Sequence, residues 1–313
     1  MRGLLLLFLL LVSGLAAEYR VAAVTENLVV YSADGEFGGK GTFLQGVDKR
    51  IDALQRDTGI YLEQKADVYI VPDRASYRQL ASGKAAIVEF SDAFYSSAER
   101  RIYLRSSDQI WENYSDIFLH EYTHWYLDEI FLSAPLWFHE GMATHYAGQM
   151  GPERYLHFVR ERFWGNKLDL FALAYEYPAE KREWPMYYLS SWFATDYMRN
   201  KDEAAWRRFW GIASAHARLG HKTRFVSAFS QAYNSSLYEF NLDFAAYSRR
   251  QAWIYLIIGA NSIIFAILPV VLIFAWRKRR KKLLSMPELE LPVDESEAET
   301  DVYPPGDEHK LVD

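Results

Sequence analysis

The chain has 313 residues, half of them hydrophobic, with a formal net charge of −6 and no cysteine. That length suits one good-sized domain plus accessory segments. Without thiols there are no disulfides, no thiol catalysis and no thiolate metal ligands, and without a basic stripe interleaved with aromatics nothing supports nucleic-acid binding.

Residues 1–17, "MRGLLLLFLLLVSGLAA", open with one positive charge, run apolar from Leu4 to Val12 and end in small residues. This is the three-part layout of a secretory signal, with Gly14 and Ala16 as the small pair before a cut. The run is short for an uncleaved anchor, which needs about 20 residues. Glu18 to Thr25 stays open as a stub, a strand or a small plug. Asn27 to Ala33 alternates like a strand, and "DGEFGGKG" after it is a loop. Leu44, Val47, Ile51 and Leu54 then fall at helical spacing before Gly59. "ADVYIVP" reads as a strand ended by Pro72, and Asp73 as the N-cap of a short helix over "DRASYRQLA". "RRIYLRSS" is a further strand, followed by a long amphipathic helix over "DQIWENYSDIFLHEYTHWYLDEIF". This alternation of strand and helix implies a small mixed sheet with helices against it.

From Ser133 to Phe244 the patterns are mainly helical, broken by Pro178 and Pro185, with "HARLGHKT" as a turn. Ala252 to Trp276 is an apolar run long enough to cross a hydrocarbon core of about 30 Å. Trp253 and Trp276 sit near its edges, and Asn261 and Pro269 read as a packing contact and a kink. "RKRRKK", Arg277 to Lys282, places that end in the cytoplasm and everything between signal and span outside. The acidic, proline-containing remainder to Asp313 reads as a disordered tail.

The chemistry-bearing stretch is "HEYTH". His120 and His124 are four apart, so on a helix both imidazoles leave one face a turn apart and can grip one metal ion. Glu121 lies about 100° round, close to the metal without being a ligand, where a carboxylate can take a proton from water. A hydrolytic zinc site needs a third protein ligand and one open position. The following "SAPLWFHEGMATHYAG" reads as a second helix, with Ser133 as N-cap, Pro135 in the first turn and a stop at Gly148. It offers His139, Glu140 and His145, and helical geometry lets only one of them face the metal. Asp116 and Asp128, a turn before His120 and a turn after His124, are candidate acceptors for the histidines' second nitrogens. His216 and His221 read as loop or surface histidines.

The pair of motifs, "HEYTH" followed by Pro135, Trp137, Glu140, Gly141 and Ala143, resembles the compact peptidase MA-like group of gluzincin metallopeptidases, whose pattern is HExxH then PxWxxEGxA. The interval is shorter than in thermolysin-like enzymes, and the resemblance covers roughly residues 27 to 200. It implies a zincin-like α+β fold with a mainly helical C-terminal half, and Glu140 as third zinc ligand beside His120 and His124. Gly141 and Ala143 would then allow close helix contact. The group's later Tyr-x-x-Ser helix fits "YYLSSWFATDYM" from Tyr187 or, with better downstream alignment, from Tyr188, whose hydroxyl could donate to an oxyanion.

The expectation is a single-pass membrane ectoenzyme, with residues 18–250 as the peptidase domain. One Zn2+ would be held by His120, His124 and Glu140, with Glu121 as general base and Tyr188 as oxyanion donor on a peptide or protein substrate. "RIYLRSS" would offer an open strand edge for that substrate. A zinc hydrolase for a non-peptide amide and a non-catalytic zinc-stabilised scaffold are the competing classes. An intramembrane protease is disfavoured by the polar flanks of "HEYTH".

Overall fold

In a computed structural model, which describes residues 19–36, 40–82, 91–106, 114–164 and 169–286, an N-terminal sheet and a helical C-terminal half share one core. Strands β1 (Arg20–Val24), β2 (Leu28–Ser32), β3 (Ala66–Val71), β4 (Ala93–Ser96) and β5 (Arg101–Arg105) lie in the order β1-β2-β3-β5-β4. The outer pairs are antiparallel and the two inner pairs parallel, so the sheet is mixed. A parallel pair needs a long crossover, supplied between β2 and β3 by α1 (Lys40–Thr58). The segment left open at the N-terminus is strand β1.

Alternation along the strands decides what covers each face. Ile70, Ala93, Ile102 and Leu104 join the main core, to which α1 contributes the buried row Leu44, Val47, Ile51 and Leu54. Val71, Phe94 and Tyr103 face the other way and meet Tyr77 and Ala81 of α2 (Arg74–Ala81). Asp73 caps α2 by accepting from the backbone of Ala75 and Ser76.

"RIYLRSS" does not form an edge. It is β5, flanked by β3 and by β4, a strand that went unnoticed in the sequence. The open edge on this side belongs to β4. Two of its outward groups are already engaged: the Ala93 carbonyl accepts from the Ser91 hydroxyl at 2.6 Å and the Tyr95 N–H donates to Glu121 at 2.7 Å.

Helix α3 (Tyr114–Ile130) carries "HEYTH". Its expected start at Asp108 falls outside the described residues. It is not amphipathic in place: Phe118, Leu119, Tyr122, Trp125, Tyr126 and Leu127 are all buried. The sheet and α1 take some of its sides and the C-terminal helices take others, so an all-round apolar surface is satisfied.

The C-terminal half contains α4 (Leu136–Tyr146), α5 (Pro152–Trp164), α6 (Trp184–Lys201), α7 (Glu203–Ala217) and α8 (Phe225–Tyr233). A two-residue parallel bridge, β6 (Phe131–Leu132) with β7 (Thr223–Arg224), ties the end of α3 to the α7–α8 turn. His216 ends up inside α7, so the expected turn starts later than read. Ser133 does not cap α4: its φ is 55°, Pro135 holds the cap position, and the Leu136 N–H finds the Ala174 carbonyl at 2.6 Å instead.

By contacts the chain divides into two units, Met1–Gly259 and Ala260–Asp313. In the first, the start of α9 (Leu237–Leu284) buries Phe240, Phe244 and Ala252. The second is described only to Met286, and its helix exposes Ile264, Phe265, Leu272 and Phe274. Helix α9 is long and apolar enough to cross a membrane, with none of its most apolar window buried, and stays helical through Pro269 and through "RKRRKK". The segment expected to be a signal and the acidic stretch beyond Met286 lie outside the described residues.

Candidate metal centre

Helices α3 and α4 return antiparallel through the short β6 link, and the contact between them brings His120, His124 and Glu140 together. One donor atom from each lies within 4.8 Å of the others. His120 Nε2 is 3.2 Å from Glu140 Oε2, and His124 Nε2 is 3.6 Å from Glu140 Oε1. Ligands at bond lengths of about 2.1 Å around a tetrahedral ion stand roughly 3.4 Å apart, close to the 3.2 Å between His120 Nε2 and Glu140 Oε2. Glu140 Oε2 is buried and makes no hydrogen bond of regular geometry; its nearest charged neighbour is His120 Nε2 at 3.2 Å, and a cation between the two would satisfy both. Two imidazole nitrogens, one carboxylate oxygen and no thiol form a set that suits a divalent transition metal.

The protonation states fit the same use. Burial drives the His124 imidazole down to about 3, leaving its lone pair free. Burial also opposes a charge on His120, but the Glu140 carboxylate outweighs it and holds that ring's pKa above the ordinary value. Burial works against ionised Glu140 as well, and there the two imidazoles and a tyrosine hydroxyl win and hold its pKa low. A metal ion arriving here would displace a proton.

His139 and His145 go elsewhere. His139 stacks on His124, with ring centroids 5.7 Å apart, and turns its Nε2 toward Asp128 at 3.7 Å. His145 lies by Arg199, 3.4 Å from the guanidinium, in a separate crevice. Neither expected carboxylate holds a ligand histidine. Asp116 pairs with Arg50 at 2.5 Å, Asp128 faces His139, and His120 Nδ1 contacts Gln149 Oε1 at 3.1 Å. Gln149 follows Gly148, whose φ of +67° turns the chain back over α3. A polar residue directly after a left-handed glycine was the one signal for it in the sequence.

A second group went unforeseen. The Tyr177 hydroxyl donates to Glu140 Oε1 from the loop between α5 and α6. That leaves Oε2 as the oxygen without a regular hydrogen bond.

Glu121 shares the rim of the site. Its Oε2 accepts the Tyr95 N–H, and burial pushes its carboxyl up to about 7. Tyr187 and Tyr188 separate cleanly. Tyr187 is fully buried and its hydroxyl donates to the Leu173 carbonyl at 3.1 Å. Tyr188 lies with its ring 6.2 Å from His120 and lines the cavities beside the site. Burial raises its pKa, so its hydroxyl keeps its proton.

Two cavities, of about 780 Å³ and 480 Å³, meet at His120, Glu121 and Tyr188. The smaller reaches past His124 and Glu140 to His139 and Asp128, and the larger runs along α5 and the start of α6. Gly141 lets α4 sit directly on α6: a Cβ there would lie 2.4 Å from the Ser191 carbonyl oxygen.

Comparison with protein-family models, with curated proteins and with solved structures gives no match. The functional reading therefore rests on the residues themselves.

Proposed function

We propose that the chain is a membrane-anchored zinc metallopeptidase of gluzincin type, with His120, His124 and Glu140 as metal ligands. The observation that carries the reading is the buried Glu140 carboxylate set against two imidazoles, with Oε2 left without a regular hydrogen bond, beside a carboxyl of raised pKa at the junction of two cavities. A purely structural site has no use for Glu121 there.

Zinc held by these residues supplies a water of lowered pKa and a Lewis acid for the scissile carbonyl. Glu121 accepts the proton of the attacking water and delivers it to the leaving amine. The Tyr95 N–H holds one of its oxygens and so fixes its orientation. Tyr188, still protonated, donates to the carbonyl oxygen as charge develops on it. His139 stacks on His124 and holds that ring's plane. Helix α9 is the membrane anchor, and the basic run at its end marks the cytoplasmic side.

The test uses the full-length chain in detergent, with metal analysis and a broad peptide library. Glu121→Gln is expected to keep one zinc and lose about 10²–10⁴-fold in turnover. Glu140→Ala is expected to lose zinc, and His139→Ala to retain it. A wild type that takes up zinc and cleaves no peptide would move the reading to a non-peptide amide. Zinc lost in His139→Ala but kept in Glu140→Ala would remove the ligand assignment.

A further inference from the structure

The cleft is unequal on its two sides. The larger cavity has an apolar wall, Ile117, Trp184 and Leu189, and opposite charges at its end, where Arg154 lines it together with Glu153 and Lys181. Of the other two acids on its wall, Glu121 accepts the Tyr95 N–H and Asp92 is paired with Arg105. Arg154 has no such explanation. It is half-buried, and among the described residues no hydrogen bond or ion pair reaches its guanidinium. Glu153 is the nearest counter-charge, and it folds back on its own loop: a Cβ added at Gly151 would meet Glu153 Oε1 at 2.3 Å.

Three costs coincide at this residue. Burial lowers the pKa of the Arg154 guanidinium, only partly offset by Glu153, so its charge is poorly solvated. The side chain remains a cation with a planar fork of donors left unfilled. It also springs from the first turn of α5, where the helix dipole repels positive charge. A local arrangement that is unfavourable in three ways, on the wall of a cavity that reaches His120 and Glu121, is what a binding group for an anion looks like in the absence of that anion.

We propose that Arg154 receives a carboxylate of the substrate, so that the molecule drawn across His120 and Glu121 is a peptide bearing a carboxylate on the α5 side of the scissile bond. The bidentate fork of Arg154 matches a carboxylate, and the apolar wall receives the side chain next to it. This rests on the peptidase reading only for the bound molecule being a peptide. The carboxylate has two possible sources, the free C-terminus and an acidic side chain, and these are separable.

The experiment measures binding, so it does not depend on turnover. Full-length zinc-loaded chain carrying Glu121→Gln is titrated calorimetrically with an N-acetylated alanine–leucine pentapeptide in three forms. These are the free C-terminal acid, the C-terminal amide, and the amide with a glutamate replacing one leucine. A carboxylate-bearing form is expected to bind about 30-fold or more tighter than the plain amide. Arg154→Met is expected to bring that ratio to about one, and Arg154→Lys, a point charge without the fork, to an intermediate value. Preference for the free acid assigns the C-terminus, and preference for the glutamate form assigns a side chain. No preference in the parent protein, a ratio unchanged in Arg154→Met, or no binding of any form overturns the proposal. If Arg154→Met does not fold, the Arg154→Lys ratio decides alone. The peptidase reading fails separately, when the protein with Glu121 intact cleaves none of the three peptides that it binds.

Discussion

Replacing Gly141 by alanine probes the link between packing and the metal site with one methyl group. The new Cβ would lie 2.0 Å from Thr195 Oγ1 and 2.4 Å from the Ser191 carbonyl oxygen. Thr195 can rotate its hydroxyl away, but a helix carbonyl cannot move without its helix. Ordinary contact begins at 3.4 Å, so α4 and α6 must part by 3.4 − 2.4 = 1.0 Å. Overpacking of this kind costs about 1–3 kcal/mol. The control is Gly211→Ala in α7, where a Cβ meets nothing within 4 Å and alanine gains helix propensity without a clash. At 2–4 °C per kcal/mol for a domain of this size, the two variants should differ in Tm by roughly 2–12 °C. The same displacement moves Glu140, the preceding residue, relative to the histidines of α3, so zinc affinity should fall about tenfold or more. Thermal unfolding of the metal-free chain and zinc competition against a chelator read the two effects. If Gly141→Ala matches Gly211→Ala in both, the close helix contact does not hold the third ligand in place.

Tyr177→Phe removes the hydroxyl that holds Glu140 Oε1, and zinc affinity should fall about 10–100-fold in the same competition assay; unchanged affinity would reduce Tyr177 to loop packing. Tyr188→Phe should retain zinc and lose about 10²–10³-fold in kcat, whereas Tyr187→Phe, by losing its bond to the Leu173 carbonyl, should cost about 1 kcal/mol of stability. The opposite assignment of effects would exchange the two tyrosines. A pH series on metal-free protein tests Glu121. Burial raises its carboxyl to about 7 from an ordinary 4.5, so its contribution is complete below about pH 4.5 and is lost as pH rises through about 7. Denaturant unfolding should therefore find Glu121→Gln gaining on wild type across that window by about 1–3 kcal/mol, and a constant difference would show that the carboxyl is not desolvated.

The parts of the fold legible in the sequence are those whose signal is local. The α1 row Leu44, Val47, Ile51 and Leu54 and the strand pattern of "ADVYIVP" carry their own periods, and each lies where that period puts it. Strand β4 has four residues and no clear alternation, and its pairing with β5 is what gives it structure. Missing it made β5 look like an edge. The bridge between Phe131–Leu132 and Thr223–Arg224 joins segments far apart in the chain through two residues each, which no window of sequence can reveal. For α3 the opposite happened: a helix read as one-sided is buried nearly all round, because two layers compete for it.

In the candidate site the same division holds, and it explains why Glu140 is the residue the geometry brings to the imidazoles. Helical spacing alone put His120 and His124 on one face and allowed any one of three residues on α4 to meet them. The choice among those three follows from the rotation of α4 about its axis, and Gly141 fits that rotation, since its missing side chain lets α4 lie against the Ser191 carbonyl of α6. With Gly141 turned to α6, Glu140 faces α3, His139 is left to stack on the flank of His124, and His145 is carried round to Arg199. The frame of small residues, rather than the chemistry of the ligands, therefore selects among His139, Glu140 and His145. What lies beyond that frame depends on chain path. Gln149 returns over His120 through a left-handed glycine, and Tyr177 reaches Glu140 from a separation of 37 residues. Tyr177 occupies Oε1 and leaves Oε2 turned to His120, so a loop with no motif of its own decides which carboxylate oxygen is available to a metal.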